Sequence, residues 1–483
     1  MAETEKFVED LTDKSDDFSR WYGEVIQKAQ LADYAPVRGC MVIRPYGFAI
    51  WELMQAALDK RIKETGHQNA YFPLLIPESF LAKEAEHVEG FAPQVAWVTH
   101  GGNERLEERL CVRPTSEAII CHMYSRWIDS HRDLPVLINQ WANVMRWEKV
   151  TRLFLRTAEF LWQEGHTAHA TEQEAEEETL KMLEVYRDFI ETEMAVPVVK
   201  GRKSEQEKFA GALRTYSVEA LMSDGKGLQA GTSHNLGQHF AKVFDITFQD
   251  EGGQRQHVWQ TSWGVSTRLM GALIMVHGDD SGLKIPPRIA PIQAVIVPIY
   301  RKEGERATVL DAAQQALSAL KAAGVRAHVD DRDQYTPGWK YNEWELRGVP
   351  LRLELGPRDV TSRQVVAVRR DNRAKEPVAW DYLAERIPQL LTEIQGAMFQ
   401  KAVEFRDAST RSAKTLDELE VIVSEHRGYV RAYWCGRNSC EDEVKARCAA
   451  TIRCLPLDDH SEPGKCVVCG SDASSRVLFA KSY

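Results

Sequence analysis

Two arginines stand ten residues apart in this chain, in Arg146-Trp147-Glu148 and Arg156-Thr157-Ala158-Glu159-Phe160. The spacing suits two strands joined by a loop, the first arginine on one strand and the second entering the other. Two planar guanidinium forks placed this way match two phosphate groups of one nucleotide. Phe160, four residues beyond the second arginine, could stack on a purine face. A charged surface hairpin has the same pattern. Two further segments shift the reading toward a nucleotide site: Arg113-Pro114-Thr115-Ser116-Glu117 upstream, and Gly264-Val265-Ser266-Thr267-Arg268 downstream.

A second chemistry lies near the end. Six of the nine cysteines fall between Cys435 and Cys469, with close pairs at Cys435/Cys440 and Cys466/Cys469. Two such pairs separated by a connecting segment suit a tetrahedral four-thiolate zinc site. Four thiolates leave no open position, so the zinc would be structural. Cys40, Cys111 and Cys121 are scattered, and a buried apolar role is the default for each.

The elements that must hold these groups are legible in the periodicity. Pro45 precedes an apolar stripe at helical spacing (Ile50, Leu53, Met54, Ala57, Leu58, Ile62), and Gly66 marks its stop. A strand is expected over 70–76. Thr171-Glu172-Gln173-Glu174 is a capping box, predicting a helix to about Met194. The glutamates at 174, 176, 177 and 178 read as its solvated face. Apolar strands are expected around Tyr216, over 240–248 and over 258–264, then a helix carrying Leu269, Ala272, Leu273 and Val276. This first part is α+β with an antiparallel sheet. Pro286-Pro287 and Pro291 mark a linker. From Ile292 strands and helices alternate, an α/β texture. A charged helix near 401–405 leads into the cysteine-rich tail.

The three class signatures of class II aminoacyl-tRNA synthetases appear here in order. They are the run ending Asn69-Ala70-Tyr71-Phe72-Pro73-Leu74-Leu75, the stretch from Arg146 to Phe160, and Gly264 to Gly271. With Arg113 to Glu117 and Trp162-Gln163-Glu164-Gly165-His166, the chain resembles the prolyl-tRNA synthetases of the archaeal and eukaryotic type over its whole length. That resemblance implies a class II catalytic domain over 1–287, an α/β anticodon-binding domain over 288–400 and a small α/β zinc-binding domain over 401–483. It implies ATP-dependent activation of L-proline and transfer to tRNA(Pro), with ATP and Mg2+ as cofactors, a structural Zn2+ on Cys435, Cys440, Cys466 and Cys469, and a homodimer built on the first signature.

The resemblance also implies roles. Arg146 clamps the α-phosphate and the proline carboxylate, and Arg268, at a helix start, holds the γ-phosphate. Arg156 and Thr157 join the nucleotide, Phe160 stacks adenine, Glu148 sits near the adenine, and Gln229 and Thr232 touch the nucleotide. A secondary ammonium on a small ring needs a carboxylate and apolar walls. Glu117 with Thr115 supplies the first; Trp162, His166 and Phe209 form walls, with His234 and Ser266 at the floor. Glu345, Arg347, Glu354 and Arg358 are the candidates for reading anticodon guanines. The terminal Tyr483 is expected to approach the active site. Some bacterial prolyl enzymes insert an editing domain, whereas the path here from His166 to Gln229 holds little beyond one long helix and short strands.

The bulk numbers are compatible. A chain of 483 residues calls for two to four domains, and 43% hydrophobic with 27% charged residues is an ordinary globular composition. No apolar run approaches membrane-spanning length. The acidic start argues against a secretory or mitochondrial leader, and a cytoplasmic location is the expectation. The net charge of −10 gives no support to RNA binding by itself, but residues 345–375 hold eight Lys or Arg against four Asp or Glu. Alternatives are another class IIa synthetase, threonyl-like, or a non-catalytic tRNA-binding paralogue. No P-loop is present.

Overall fold

The computed structural model describes residues 11–87, 94–459 and 463–483. Helix α1 (Phe18–Lys28) and the long α2 (Pro45–Glu64) come first. In α2, Ile50, Met54, Leu58 and Ile62 are buried at four-residue spacing, Pro45 opens the helix, and Gly66 leaves it at φ +92°. Then follow β1 (Gln68–Asn69), α3 (Glu117–Trp127), β2 (Val136–Met145), β3 (Glu159–His169), α4 (Glu172–Met194), β4 (Val198–Arg202), β5 (Arg214–Leu221), β6 (Gly227–Gly237), β7 (Trp259–Ser266) and α5 (Arg268–His277).

Strands β2 to β7 form an antiparallel sheet in the order β4-β5-β6-β7-β3-β2, with β1 added in parallel at the edge. The register sets opposite each other Trp162 and Ser266, His166 and Ser262, Thr232 and Gly264, and Thr215 and His234. Side chains alternate faces with a period of two, so Trp162, Glu164 and His166 share one face of β3. The other face packs on α4, whose capping box is formed as the sequence implies. There Gly165 matters: a Cβ at that position would lie 2.1 Å from the Trp263 ring, so only glycine lets the indole lie against β3.

The α/β unit contains β8 (Ala294–Pro298), α6 (Glu303–Ala322), β9 (Ala327–Val329), α7 (Pro337–Leu346), β10 (Leu351–Leu355), β11 (Gln364–Arg369), β12 (Lys375–Ala379) and α8 (Leu383–Ala408). Its sheet runs β9-β8-β10-β11-β12, parallel among the first three and antiparallel beyond. The last unit holds β13 (Thr410–Ser412), β14 (Tyr429–Trp434), α9 (Asn438–Cys448), β15 (Thr451–Pro456) and β16 (Ser475–Ala480). Strand β15 pairs with β4, which makes one continuous sheet of eleven strands across the first and last units. The seam is locked by a buried cluster. Glu219 of β5 accepts from Lys203 at 2.8 Å and from Arg453 of β15 at 2.8 and 3.0 Å. Removing one partner of such a buried ionic cluster costs on the order of 3–5 kcal/mol.

Several expectations change. Residues 70–74 are irregular, because Pro73 lacks a ladder donor and Arg113 takes the Phe72 and Leu74 carbonyls; only Leu75–Pro77 is strand. The expected strand over 240–248 is a short helix, His239–Val243, followed by strand Thr247–Gln249, with Asp245 turning the chain at φ +53°. Glu178 is not solvated: it is buried against His67 at 3.1 Å and Lys181 at 2.7 Å. The proline-marked linker is a short helical turn, Pro287–Ile289, with Ile289 fully buried. The 400/401 junction falls within the continuous helix α8.

Candidate active site

A cavity of ≈ 580 Å3 opens on the shared face of β3, β5, β6 and β7. Twelve of the residues singled out from the sequence line it: Thr115, Glu117, Arg146, Phe160, Trp162, His166, Phe209, Gln229, Thr232, His234, Ser266 and Arg268. They come from segments spread between Thr115 and Arg268, brought together by the register above.

One end holds a carboxylate–imidazole–carboxylate row. His166 Nε2 lies 3.0 Å from Glu164 Oε2, and Nδ1 lies 3.3 Å from Glu117 Oε2. Burial lowers the imidazole's proton affinity, but the charges of Glu117 and Glu164 outweigh it and raise the His166 pKa to about 10. Burial likewise raises the Glu164 carboxyl, and the His166 hydrogen bond and charge reverse this, holding it at about 2. At neutral pH the row therefore carries two negative charges and one positive. Glu164 is saturated: Oε1 accepts from Gln140, and Oε2 from Thr115, the Ser116 amide and His166. Glu117 accepts only from the Cys121 thiol at 3.8 Å and meets His166 as an ion-pair contact. Its lone pairs are the ones available to a cationic ligand. Beyond it, the Thr215 hydroxyl meets His234 Nδ1 at 3.0 Å, and the His234 ring lies 4.9 Å from Phe209. Burial pushes the His234 pKa down to about 3, so this second histidine stays neutral and apolar in character.

The other end is cationic. Arg146 leaves the end of β2, with its amide on the Ala158 carbonyl at 2.8 Å and Nε on the Pro114 carbonyl at 3.1 Å. Its guanidinium lies over Trp162 at 5.3 Å and Phe160 at 5.7 Å, which holds the fork at the boundary of the two ends. Arg268 opens α5 and donates Nε to the Leu155 carbonyl at 3.2 Å. Its pKa is pushed below the ordinary guanidinium value, first by burial and then by the charges of Arg146 and Arg156. Such mutual repulsion is relieved by a bound polyanion, and the start of α5 favours one further.

Not every expected residue faces the cavity. Arg156 and Glu148 pair with each other at 3.0 Å on the loop between β2 and β3, and Arg156 is largely exposed. The Thr157 hydroxyl is turned into the backbone, on the Glu159 carbonyl at 2.7 Å. Glu164 had no assigned role, although its place between Trp162 and His166 at a spacing of two is the signal for it.

In the tail, Cys435, Cys440, Cys466 and Cys469 gather with all four Sγ atoms within 4.8 Å of one another. Cys435 Sγ lies 3.6 Å from Cys440 Sγ and 3.7 Å from Cys469 Sγ. A tetrahedron with metal–sulfur bonds of about 2.3 Å has edges of about 3.8 Å, so the cluster has the size of a zinc site. Cys448 and Cys454 are buried elsewhere. Among the described residues no other cluster of His, Cys, Asp and Glu has this arrangement.

The α/β unit has a second hollow, ≈ 400 Å3, lined by Glu345 and a set of cations, Arg352, Arg369, Arg370, Arg373 and Lys375. Glu354 borders it through Arg352 at 2.8 Å and Lys375 at 3.6 Å. Arg347 is turned away, toward Gln30 at 3.0 Å and the Tyr46 ring. Arg358 is exposed on the short helix Pro357–Thr361.

An antiparallel sheet flanked by helices, with one arginine at a strand end and another at a helix start facing a common cavity, defines a class II aminoacyl-tRNA synthetase core. Residues 97–277 match the tRNA synthetase class II core domain (G, H, P, S and T), and residues 293–390 match an anticodon binding domain. Residues 416–483 match the C-terminal domain of prolyl-tRNA synthetase. The chain is 60% identical to the proline–tRNA ligase of Natranaerobius thermophilus, covering 99% of both, and 56% identical to proline–tRNA ligase 2 of Clostridioides difficile over the full length of both. It also matches the crystal structure of prolyl-tRNA synthetase from Cryptosporidium parvum complexed with halofuginone and AMPPNP, at a TM-score of 0.94 and 43% identity, covering 98% of this chain and 99% of that one. The chain belongs to the prolyl-tRNA synthetase family.

Proposed function

We infer that this protein is a proline–tRNA ligase, joining L-proline to ATP as prolyl-adenylate and passing the prolyl group to the 3′ end of tRNA(Pro). The observation that carries this reading is one cavity with opposite charge at its two ends, bridged by Arg146. The anionic row of Glu117, His166 and Glu164 takes the secondary ammonium, with Trp162 and Phe209 closing on the ring. Arg146 takes the proline carboxylate and the α-phosphate together, and Arg268 takes the γ-phosphate. Attack of the carboxylate oxygen on the α-phosphorus, with pyrophosphate leaving, then needs alignment and charge neutralisation but no protein nucleophile. Phe160, Gln229 and Thr232 would hold the nucleoside. Arg156, Glu148 and Thr157 would act from the loop. Mg2+ would supply charge neutralisation on the phosphates when bound. The test is ATP–pyrophosphate exchange by the purified protein: proline should drive it, and threonine or glycine should not. Exchange driven equally by threonine would overturn the reading.

The units proposed are a catalytic domain over 1–287, an anticodon-binding domain over 288–400 and a zinc-binding domain over 401–483. The composite resembles the archaeal and eukaryotic type, although the curated relatives are bacterial. Glu345 and Glu354, with their basic neighbours, are the proposed readers of the anticodon. Arg347 serves the seam between domains, and Arg358 remains a peripheral contact. A homodimer through α2 and residues 70–76 is supported by the exposed Phe48, Tyr71 and Leu74. Among the described residues no helix is long and apolar enough to cross a membrane, and the cytoplasm is the proposed location.

Three outcomes are expected. Elemental analysis should find one zinc per chain, lost in Cys435→Ala and in Cys469→Ala; full zinc in both variants would refute the site. The metal's contribution should be large, since structural zinc binding in small domains is worth about 10–16 kcal/mol. Tyr483 donates to Asp224 at 2.6 Å, and its ring lies 4.7 Å from Lys226 and 5.6 Å from Arg152 of the loop between β2 and β3. Deleting residues 481–483 should therefore lower proline activation several-fold while Tm moves by a few degrees at most. Finally, alanine should be misactivated, because a pocket excludes a smaller side chain by only about 1–3 kcal/mol per missing methylene. Between β3 and β6 the chain forms only α4, β4, β5 and turns. Ala-tRNA(Pro) supplied to the protein should persist in an acid-gel assay, and its rapid hydrolysis would reveal an editing site.

A further inference from the structure

The basic hollow and the nucleotide arginines are joined by one helix. Helix α5 begins with Arg268 and ends at His277, ten residues spanning about 15 Å. Its far end is gripped from several sides. Lys14 Nζ donates to the Gly278 carbonyl at 2.6 Å, Ser223 Oγ to the Met275 carbonyl at 2.5 Å, and Trp21 Nε1 to the Asp279 carbonyl at 3.0 Å. A Cβ at Gly278 would lie 2.9 Å from the Trp21 ring, so this end has no slack. The near end is as tight: a Cβ at Gly271 would lie 2.5 Å from Leu155, the residue whose carbonyl holds Arg268. A helix packed this closely moves as a body or not at all.

Asp279, two residues past α5, reaches across to the α/β domain. Its carboxylate accepts from Arg370 at 2.6 and 3.0 Å, a bidentate pair, and from Lys284 of its own segment at 2.8 Å. Arg370 is 5% exposed in relative terms and lines the hollow, donating Nε to the Glu345 carbonyl at 2.9 Å. Arg373, also in the hollow, donates to the Glu345 carboxylate at 3.0 Å and to Ser281 at 2.7 Å. Two of the cations that line the hollow, Arg370 and Arg373, are thus one bond from the segment that follows α5.

We propose that the Asp279–Arg370 pair couples occupancy of the hollow by single-stranded RNA to the catalytic cavity through α5, so that Asp279 acts in the coupling between the two sites and not in activation without RNA. This rests on the reading of the hollow as an RNA site given above. Phosphate oxygens and guanine edges entering the hollow compete with Asp279 and Glu345 for Arg370 and Arg373. Lys284 remains on Asp279 throughout, so Arg370 can exchange partners without leaving a bare half-buried carboxylate. That keeps the exchange reversible, where breaking an isolated buried pair would be costly. By linkage the effect runs both ways: filling the catalytic cavity must change the affinity of the hollow by the same factor.

The test uses the full-length protein and a synthetic anticodon stem-loop of tRNA(Pro). Its dissociation constant is measured by fluorescence anisotropy with and without a saturating non-hydrolysable prolyl-adenylate analogue. The ratio of the two constants should be about 5-fold or more, within the usual range of 5- to 150-fold. Asp279→Asn should bring the ratio to about 1 while RNA affinity without the analogue and proline-dependent exchange without RNA stay within about threefold. Arg370→Lys, which keeps the charge and loses the fork, should also bring the ratio to about 1 with exchange without RNA within about threefold, while its RNA affinity falls because Arg370 lines the hollow. Agreement of the two variants in the ratio guards against misfolding of either alone. A wild-type ratio of 1, or a ratio retained in both variants, overturns the coupling. Loss of the basal exchange in both variants also overturns it, because the pair would then serve the fold. Arg352→Ala separates the two readings. If stem-loop affinity is indifferent to it, the hollow has no RNA occupant and both fall; if affinity drops while the ratio survives Asp279→Asn, only the coupling falls.

Discussion

Replacing Arg146 by alanine should lower proline-dependent pyrophosphate exchange by about 10^2- to 10^3-fold while leaving the fold intact. The side chain sits where the two charged ends of the cavity meet, with one hydrogen bond to the Pro114 carbonyl and its face over Trp162 and Phe160. Its remaining donors face the cavity, and there a carboxylate and a phosphate must approach each other against their mutual repulsion. A preorganised donor removed from such a site typically costs about 3–4 kcal/mol in the transition state. Its structural contribution is partly offset: the guanidinium donates one charge-assisted hydrogen bond, worth about 1.5–3 kcal/mol, and removing it also removes the cost of burying that charge. The two effects separate in the measurement. Exchange rate should collapse, and the thermal midpoint should stay within a few degrees. A variant that exchanges at near the parent rate would remove Arg146 from the site.

The residues that line the cavity are legible in the sequence because their chemistry is local and their spacing periodic. Arg146 and Arg156 lie on the loop between two strands, the first directly after one strand and the second three residues before the other, so the strand–loop–strand pattern holds while neither arginine is on a strand. Trp162 and His166 fall on one strand face by period-two alternation, and Arg268 opens a helix as read. The errors have a common origin in tertiary contacts that cancel a local pattern. Residues 70–76 have strand-like composition, yet Arg113, 40 residues on, takes the carbonyls that a neighbouring strand would use. The glutamates of α4 resemble a solvated face, yet His67 and Lys181 draw Glu178 under the sheet. Arg347 carries the right chemistry for RNA, but α7 ends beside the catalytic domain and the side chain turns to Gln30. Glu164 carries no role in the sequence reading, because its hydrogen bonds come from two other segments, Gln140 and Thr115-Ser116.

The same row makes the second large prediction, in which charge and pH act together. With His166 protonated, Glu117, His166 and Glu164 sum to one negative charge, which is the complement of the proline ammonium. His166→Gln would leave two nearly buried carboxylates facing each other with no cation between them. Losing one member of a buried charge network costs about 3–5 kcal/mol, shared here between stability and proline binding. The KM for proline in the exchange reaction should rise at least tenfold, with a smaller change in the KM for ATP, because the nucleotide end is untouched. The pH dependence follows from the sign of each shift. His166 is raised from 6.5 to about 10 on folding. Its stabilisation is therefore complete below about pH 6.5 and is lost as pH climbs toward 10, because the folded state binds the extra proton throughout that window. The slope is at most about 1.4 kcal/mol per pH unit. Glu164, lowered from 4.5 to about 2, works in the opposite sense: its stabilisation is complete above about pH 4.5 and is lost as pH falls through 2. Urea melts of the parent protein between pH 7 and pH 9.5 should thus show declining stability, and the His166→Gln melts should start lower and decline less over the same range. Parallel declines in the two proteins would mean that His166 is neutral in the fold. The row would then carry two uncompensated negative charges, and the charge match to proline would be lost.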